Sequence, residues 1–135
     1  MFDIHNNMAV IANARANAQG TTAAITCGGD RTGYQGIEFL VNLGAIGAAI
    51  TIAGVLEDSP DNSTWTAVAS DFRLGALPAL ATADAGQSFK IGYAGKQKYV
   101  RLVLTPAGTV ANLLTVAANL IGFTPLKAPK NTQLV

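Results

Sequence analysis

Catalysis needs acids, bases, nucleophiles or metal ligands that a fold can bring together, and this chain offers few of them. His5 is its single histidine. A metal site built on it would need further ligands nearby, and Asp3 alone does not supply them, so His5 reads as a solvated residue. Cys27, the single cysteine, precedes Gly28-Gly29. A thiolate nucleophile needs a base, usually histidine, and His5 is distant in sequence, so Cys27 reads as a small buried or edge thiol. Ser59, Ser63, Ser70 and Ser88 stand outside any G-x-S-x-G context. The glycine-rich stretches at 28–29, 44–47 and 92–95 carry neither a phosphate-loop lysine nor a dinucleotide fingerprint. Glu57, Asp58 and Asp61 gather around one turn. They could hold calcium, but their spacing is not that of an EF-hand, and acidic turn residues bonding their own backbone explain the cluster equally well. Asn62-Ser63-Thr64 matches a glycosylation sequon, which has no consequence without secretion. The expectation is no catalytic residue, no metal, no cofactor and no enzyme.

Composition narrows the class. A length of 135 residues fits one domain. Half of the residues are hydrophobic and only 13% are charged, against a usual charged share of about 25%. A soluble monomer would carry more surface charge, so the shortfall points to a surface covered by other subunits. A net charge of +1 leaves no electrostatic footprint for nucleic acid. One cysteine forms no internal disulfide, which fits a reducing cytoplasm. The opening MFDIHNNMAV lacks the basic and apolar regions of a signal peptide. The longest apolar runs, 44–56 and 113–123, fall short of the ~20 residues a membrane helix needs and are interrupted by threonine or asparagine, so no membrane partner is expected.

The elements that must position these residues read as strands. Ile37, Phe39 and Val41 alternate with Glu38, Leu40 and Asn42; Val100, Leu102 and Leu104 alternate with Tyr99, Arg101 and Val103. Further strands are expected over 21–26, 49–57 (with a bulge at Ala53-Gly54), after Trp65, near Phe72 and over 110–123. Asp58 to Ser63 is the densest turn signal. Residues 89–93 and 99–104 read as a hairpin about Ala94–Gln97, with Gly95 suiting the turn. Seven or eight short strands with turn signals every ~10 residues predict an all-β, antiparallel sandwich or jelly roll over 21–123. Residues 1–20, broken by asparagines, and 124–135, carrying Pro125 and Pro129, read as extended N- and C-terminal arms ordered by a partner. The expected core includes Trp65, Ile37, Phe39, Val100 and Leu102.

Two resemblances add to this. Glu57–Trp65, followed by Lys98-Tyr99-Val100-Arg101-Leu102, is similar to the S-x-D-G-x-x-W … R-Y-V-R pattern of discoidin-type jelly rolls, with Asn62 where glycine is usual. The match covers about a quarter of the chain and leaves the ligand loops of those domains without a counterpart. The whole-chain layout more closely resembles the small cement, or decoration, proteins of tailed-bacteriophage capsids. The segments that carry this are the apolar-polar arm, the loop Asp30-Arg31-Thr32-Gly33, the strand pair 38–41 and 49–56, the acidic turn with its aromatic (57–65), the strand and turn 99–108, and the closing apolar strand 111–121. The resemblance implies a jelly-roll subunit on the capsid surface of a virion assembled in the host cytoplasm. Such a subunit is a homo-oligomer, dimer or trimer, that bridges major capsid protein subunits. Phe2, Ile4, Val10, Ile11, Leu126 and Leu134 on the arms would make those contacts. Tyr99 and Arg101 share a face and serve either a subunit contact or a cross-strand pairing with Glu57 or Glu38. The alternatives are a tail or head-tail adaptor subunit, or a carbohydrate-binding module, which would display exposed aromatic rings.

Overall fold

A computed structural model describes residues 7–18, 23–108 and 114–125. They form ten strands: β1 (Met8–Ala18), β2 (Ile25–Asp30), β3 (Tyr34–Ile46), β4 (Ile50–Ser59), β5 (Thr66–Ala67), β6 (Arg73–Leu74), β7 (Ala79–Ala81), β8 (Ser88–Tyr93), β9 (Tyr99–Gly108) and β10 (Leu114–Pro125). Two antiparallel sheets face each other. Sheet A has the order β1-β10-β3-β8-β6, and sheet B the order β2-β9-β4-β5, with β7 also paired to β4. The fold is the all-β sandwich that the alternating segments predict.

Alternation sets which side chains face inward, because successive residues of a strand point to opposite faces. Ile37, Phe39, Val41 and Leu43 of β3 are buried together with Ile91 and Tyr93 of β8 and Val116, Ala118 and Leu120 of β10. Opposite them lie Ile25 and Cys27 of β2, Ile52 and Leu56 of β4, and Val100, Leu102 and Leu104 of β9. Phe39, at 0% exposure, is the largest side chain at the centre. Of the expected core, Ile37, Phe39, Val100 and Leu102 lie here.

The topology differs from the sequence reading in one systematic way. Consecutive long strands do not pair; they switch sheets. β8 pairs with β3 and β6 in sheet A, while β9 pairs with β2 and β4 in sheet B. The expected 89–104 hairpin is therefore two strands of different sheets, and Ala94–Lys98 crosses between them at the rim. Gly95 has a role there that turn formation does not cover: a Cβ on it would run into the Tyr93 ring. Gly54 likewise marks no bulge. The β4–β9 register runs unbroken from Ile50 to Ser59, and Gly54 faces inward, leaving room for Pro78, whose carbonyl accepts its N–H at 2.8 Å.

The arm boundaries also change. Met8–Ala18 pairs with β10 from Met8↔Phe123 to Ala18↔Leu114, with an irregularity at Val10/Ala12. This part of the expected arm is a strand of the sandwich, supplying Ile11, Ala12 and Ala14 against the core. The asparagines that disfavour a helix do not prevent a strand, because Asn13 sits on its exposed side. Thr124 and Pro125 likewise belong to β10. Phe2, Ile4, Leu126 and Leu134 lie outside the described residues.

Candidate functional site

The outward face of sheet B carries a group of interacting side chains around Arg101. Since Val100, Leu102 and Leu104 point inward, Arg101 points outward. Its strand neighbours in register are Glu57 on β4 and Gly28 on β2. Arg101 Nε donates to Glu57 Oε2 at 2.6 Å, with the two side chains 30% and 23% exposed. Of the two cross-strand partners expected for Arg101, Glu57 is the one it meets. A Cβ at Gly28 would collide with Arg101, so glycine there keeps the guanidinium in place.

Trp65 completes the group, and it is not a core residue. Asp61 organises the turn before it: its carboxylate accepts from Ser63 N–H at 2.9 Å, Thr64 N–H at 2.8 Å and Ser59 Oγ at 2.9 Å. Asn62 takes a left-handed φ of 62°. The turn returns the chain over the outside of sheet B, and the half-buried indole comes to lie 4.1 Å from the Arg101 guanidinium, within cation–π range. Thr26, Gly28, Asn62, Trp65 and Arg101 line an open hollow of about 260 Å³. An aromatic ring, a hydroxyl, a carboxamide and a guanidinium converge there. That set suits a ring-shaped ligand held by stacking and hydrogen bonds.

The acidic turn does not converge on an ion. Glu57 is paired with Arg101, and Asp58 Oδ2 accepts from Tyr93 Oη at 2.7 Å. The backbone N–H groups of Thr64 and Ser63 hold the Asp61 carboxyl far below the usual carboxylate range. Each carboxylate has its own local partner, and no group of three metal-ligating side chains occurs among the described residues. Cys27 is 2% exposed, burial raises its thiol pKa, and its Sγ–H donates to the Ala118 carbonyl at 3.6 Å.

A second surface lies at one corner of sheet A. β1 is its terminal strand. Val10 is 60% and Met8 36% exposed, opposite Ile121 and Phe123 of β10. Leu120 and Gly122 point inward, so Ile121 and Phe123 share the outer face with Val10 and Met8. Ile11, by contrast, is half-buried and packs on the core. Of the expected contact residues, Val10 is at this corner, while Tyr99 and Arg101 are on the opposite sheet.

The sequence reading missed the role of Tyr93. Its ring is 3% exposed. Its hydroxyl donates to Asp58 of the other sheet and accepts the Gln97 N–H at 3.1 Å. Burial and the Asp58 carboxylate push the phenol up to about 12. Tyr93 thus ties both sheets to the 94–98 crossover. The only trace of this in sequence is that its alternation continues from Ile91.

No family model and no curated protein matches the chain. Among solved structures, the PBSX exported protein XepA matches over 100% of this chain with a TM-score of 0.54 at 16% identity. The chain spans 43% of the length of that protein. The likeness shows a shared fold. The Yersinia pseudotuberculosis-derived mitogen matches over 94% of this chain and 92% of its own, at 11% identity and a TM-score of 0.44. The VP2 subviral particle of infectious bursal disease virus matches over 90% of this chain and 42% of its own, at 13% identity and a TM-score of 0.26. The last two scores are too low to establish a shared fold.

Proposed function

We propose that this protein is a structural virion subunit, specifically a capsid cement protein that binds the shell and bridges major capsid protein subunits, and that it is not an enzyme. The observation that carries the reading is the corner of sheet A. Met8 and Val10 on the terminal strand β1, with the half-buried Ile121 and Phe123 of the neighbouring β10, present apolar surface there. Among the described residues β1 has no strand on its outer side, and it carries one charged side chain, Arg15, and one irregularity, at Val10/Ala12, so its backbone edge is open to another chain. Met8 and Pro125 lie at this same end of the sheet. The low charge of the chain fits a surface that other subunits cover. A fold shared with a phage PBSX protein is in keeping with a phage origin. In this reading the protein sits on the capsid surface, is assembled there in the host cytoplasm, and acts as a homo-oligomer.

The test uses shells that lack the protein. Wild type should co-sediment with them and raise their melting temperature, and Val10→Asp should lose most of that retention. Val10 is exposed, so its substitution should leave the circular dichroism spectrum unchanged. Unimpaired retention of Val10→Asp would refute the corner as the contact. Labelled particles separate the positions: shell-wide label supports cement, and label at one vertex or on the tail supports the adaptor reading.

A second reading, a carbohydrate-binding module, draws on the half-exposed Trp65 in its hollow beside Thr26, Asn62 and Arg101. Quenching of Trp65 fluorescence by a glycan, weakened in Arg101→Ala, which keeps the indole, would favour it.

A further inference from the structure

The 31–33 and 94–98 connections meet at one rim of the sandwich and enclose a hollow of about 400 Å³ lined by Arg31, Thr32, Gly33, Tyr34, Lys96 and Lys98. Three of the nine Lys and Arg residues of a weakly charged chain line it, and among the described residues no carboxylate does, although Asp30 beside it accepts the Thr32 N–H at 2.7 Å. The cations are held by different means. Arg31 Nε donates to the Gln97 carbonyl at 2.7 Å and its N–H to the Lys98 carbonyl at 2.9 Å, while the guanidinium lies 5.8 Å from the centroid of the Tyr93 ring. Nε is thereby occupied, and the two terminal amino groups keep the paired N–H donors that match a carboxylate. Lys98 is 3.6 Å from Asp30 and 5.0 Å from the Tyr99 ring centroid. That ion pair is half exposed on both sides, the kind that exchanges readily for another carboxylate. Lys96 makes no hydrogen bond or ion pair among the described residues.

We propose that this hollow binds side-chain carboxylates of an acidic segment of a protein partner. Among the described residues the cations of this rim are confined to two loops and do not form the extended basic stripe that a nucleic acid requires. The hollow also adjoins the apolar corner. Tyr34 pairs with Pro125, and Gly36, two residues on, pairs with Phe123, which pairs in turn with Met8. A partner segment with apolar residues on the corner would carry its acidic residues into the hollow. The choice of a protein as the source of the carboxylates rests on the proposed function; the oxyanion chemistry of the hollow does not.

The experiment uses the full chain, free of particles, titrated with a hexaglutamate peptide at low ionic strength and followed by amide chemical shifts. Shifts should concentrate at 31–34 and 96–98, and binding should weaken as salt is raised. The double variant Lys96→Gln/Lys98→Gln, exposed and without effect on the core, should bind roughly tenfold more weakly. Hexaglutamine and inorganic phosphate are the controls. Binding of hexaglutamate that the double variant leaves unchanged, or no binding at all, overturns the proposal. Phosphate that displaces the peptide at equal concentration also overturns it, in favour of a general oxyanion site. Because no shell is present, failure here leaves the sedimentation test of Val10→Asp standing, and the reverse also holds.

Discussion

Replacing Tyr93 by phenylalanine isolates the tie between the sheets, because the ring and its packing remain and only the hydroxyl is lost. Two hydrogen bonds go with it, the 2.7 Å bond to Asp58 and the 3.1 Å bond from Gln97 N–H. A hydrogen bond to a charged group contributes about 1.5–3 kcal/mol. Asp58 is only half-buried and recruits water once its partner is gone, so the expected loss is about 2 kcal/mol, or roughly 8 °C in Tm for a chain of this size. The pH dependence is sharper evidence. The phenol has an ordinary value of 10.0 and is pushed up to about 12 in the folded protein. The folded state thus favours the neutral form. Its stabilisation is complete below pH 10, where both states are protonated, and is lost as pH rises towards 12. The slope is about 1.4 kcal/mol per pH unit. Tyr93→Phe has no such group. Urea unfolding of both proteins should therefore give a gap of about 2 kcal/mol at pH 9 that closes almost completely by about pH 11.5. A gap that stays constant over that range would refute the argument that Asp58 and burial hold the phenol neutral. Equal stability at pH 9 would refute the tie itself.

Trp65→Ala should cost roughly 1–2 kcal/mol, the loss of a cation–π contact and partial burial; a loss near the ~3–5 kcal/mol typical of a buried aromatic, read by urea unfolding, would place the ring in the core after all. Arg73 has a buried Nε with no hydrogen-bond partner among the described residues, so Arg73→Met, which keeps the apolar stem, should leave stability unchanged or raise it by up to about 1 kcal/mol; a clear fall in the urea midpoint would show that the guanidinium has a partner in solution. Cys27 should react with a thiol reagent at pH 8 on the order of 100-fold more slowly in native buffer than in urea; comparable rates would mean that β2 opens readily from the sandwich.

The faces of the strands were legible in the sequence because a period of two fixes the side of each residue whatever the strand pairs with. Ile37, Phe39 and Val41, and Val100, Leu102 and Leu104, are inward for that reason alone. The same rule explains why Val55, an apolar residue, is 37% exposed: Ile50, Ile52, Gly54 and Leu56 take the inward positions. Pairing was not legible, because a turn that closes a hairpin and a turn that rounds the corner of a sandwich use the same residues. Ala94-Gly95-Lys96-Gln97 meets the composition of either. Trp65 carries a related ambiguity. Its size argues for the core, but the Asp61 turn fixes only that the chain reverses, and not which face of sheet B it returns across.

Strand pairing decides where a site can form. In a hairpin, Lys96 and Lys98 would sit at an isolated tip, far from Arg31, and the three charges would count separately as solvated residues. In the observed topology β2 and β9 are neighbours, and both cross to sheet A at the same rim, β2 leading into β3 and β9 arriving from β8. The crossovers are thereby forced together, and Arg31 is hydrogen-bonded to the backbone of Gln97 and Lys98 across 66 and 67 residues of sequence. Tyr93, at the end of β8, fixes one of the two crossovers through Gln97. The cationic hollow is thus a product of strand order, which is why no spacing of basic residues along the chain announces it. It follows that Tyr93→Phe should loosen the 94–98 crossover and weaken hexaglutamate binding while every cation is still present. An unchanged affinity in that variant would mean that the charges suffice without the tether.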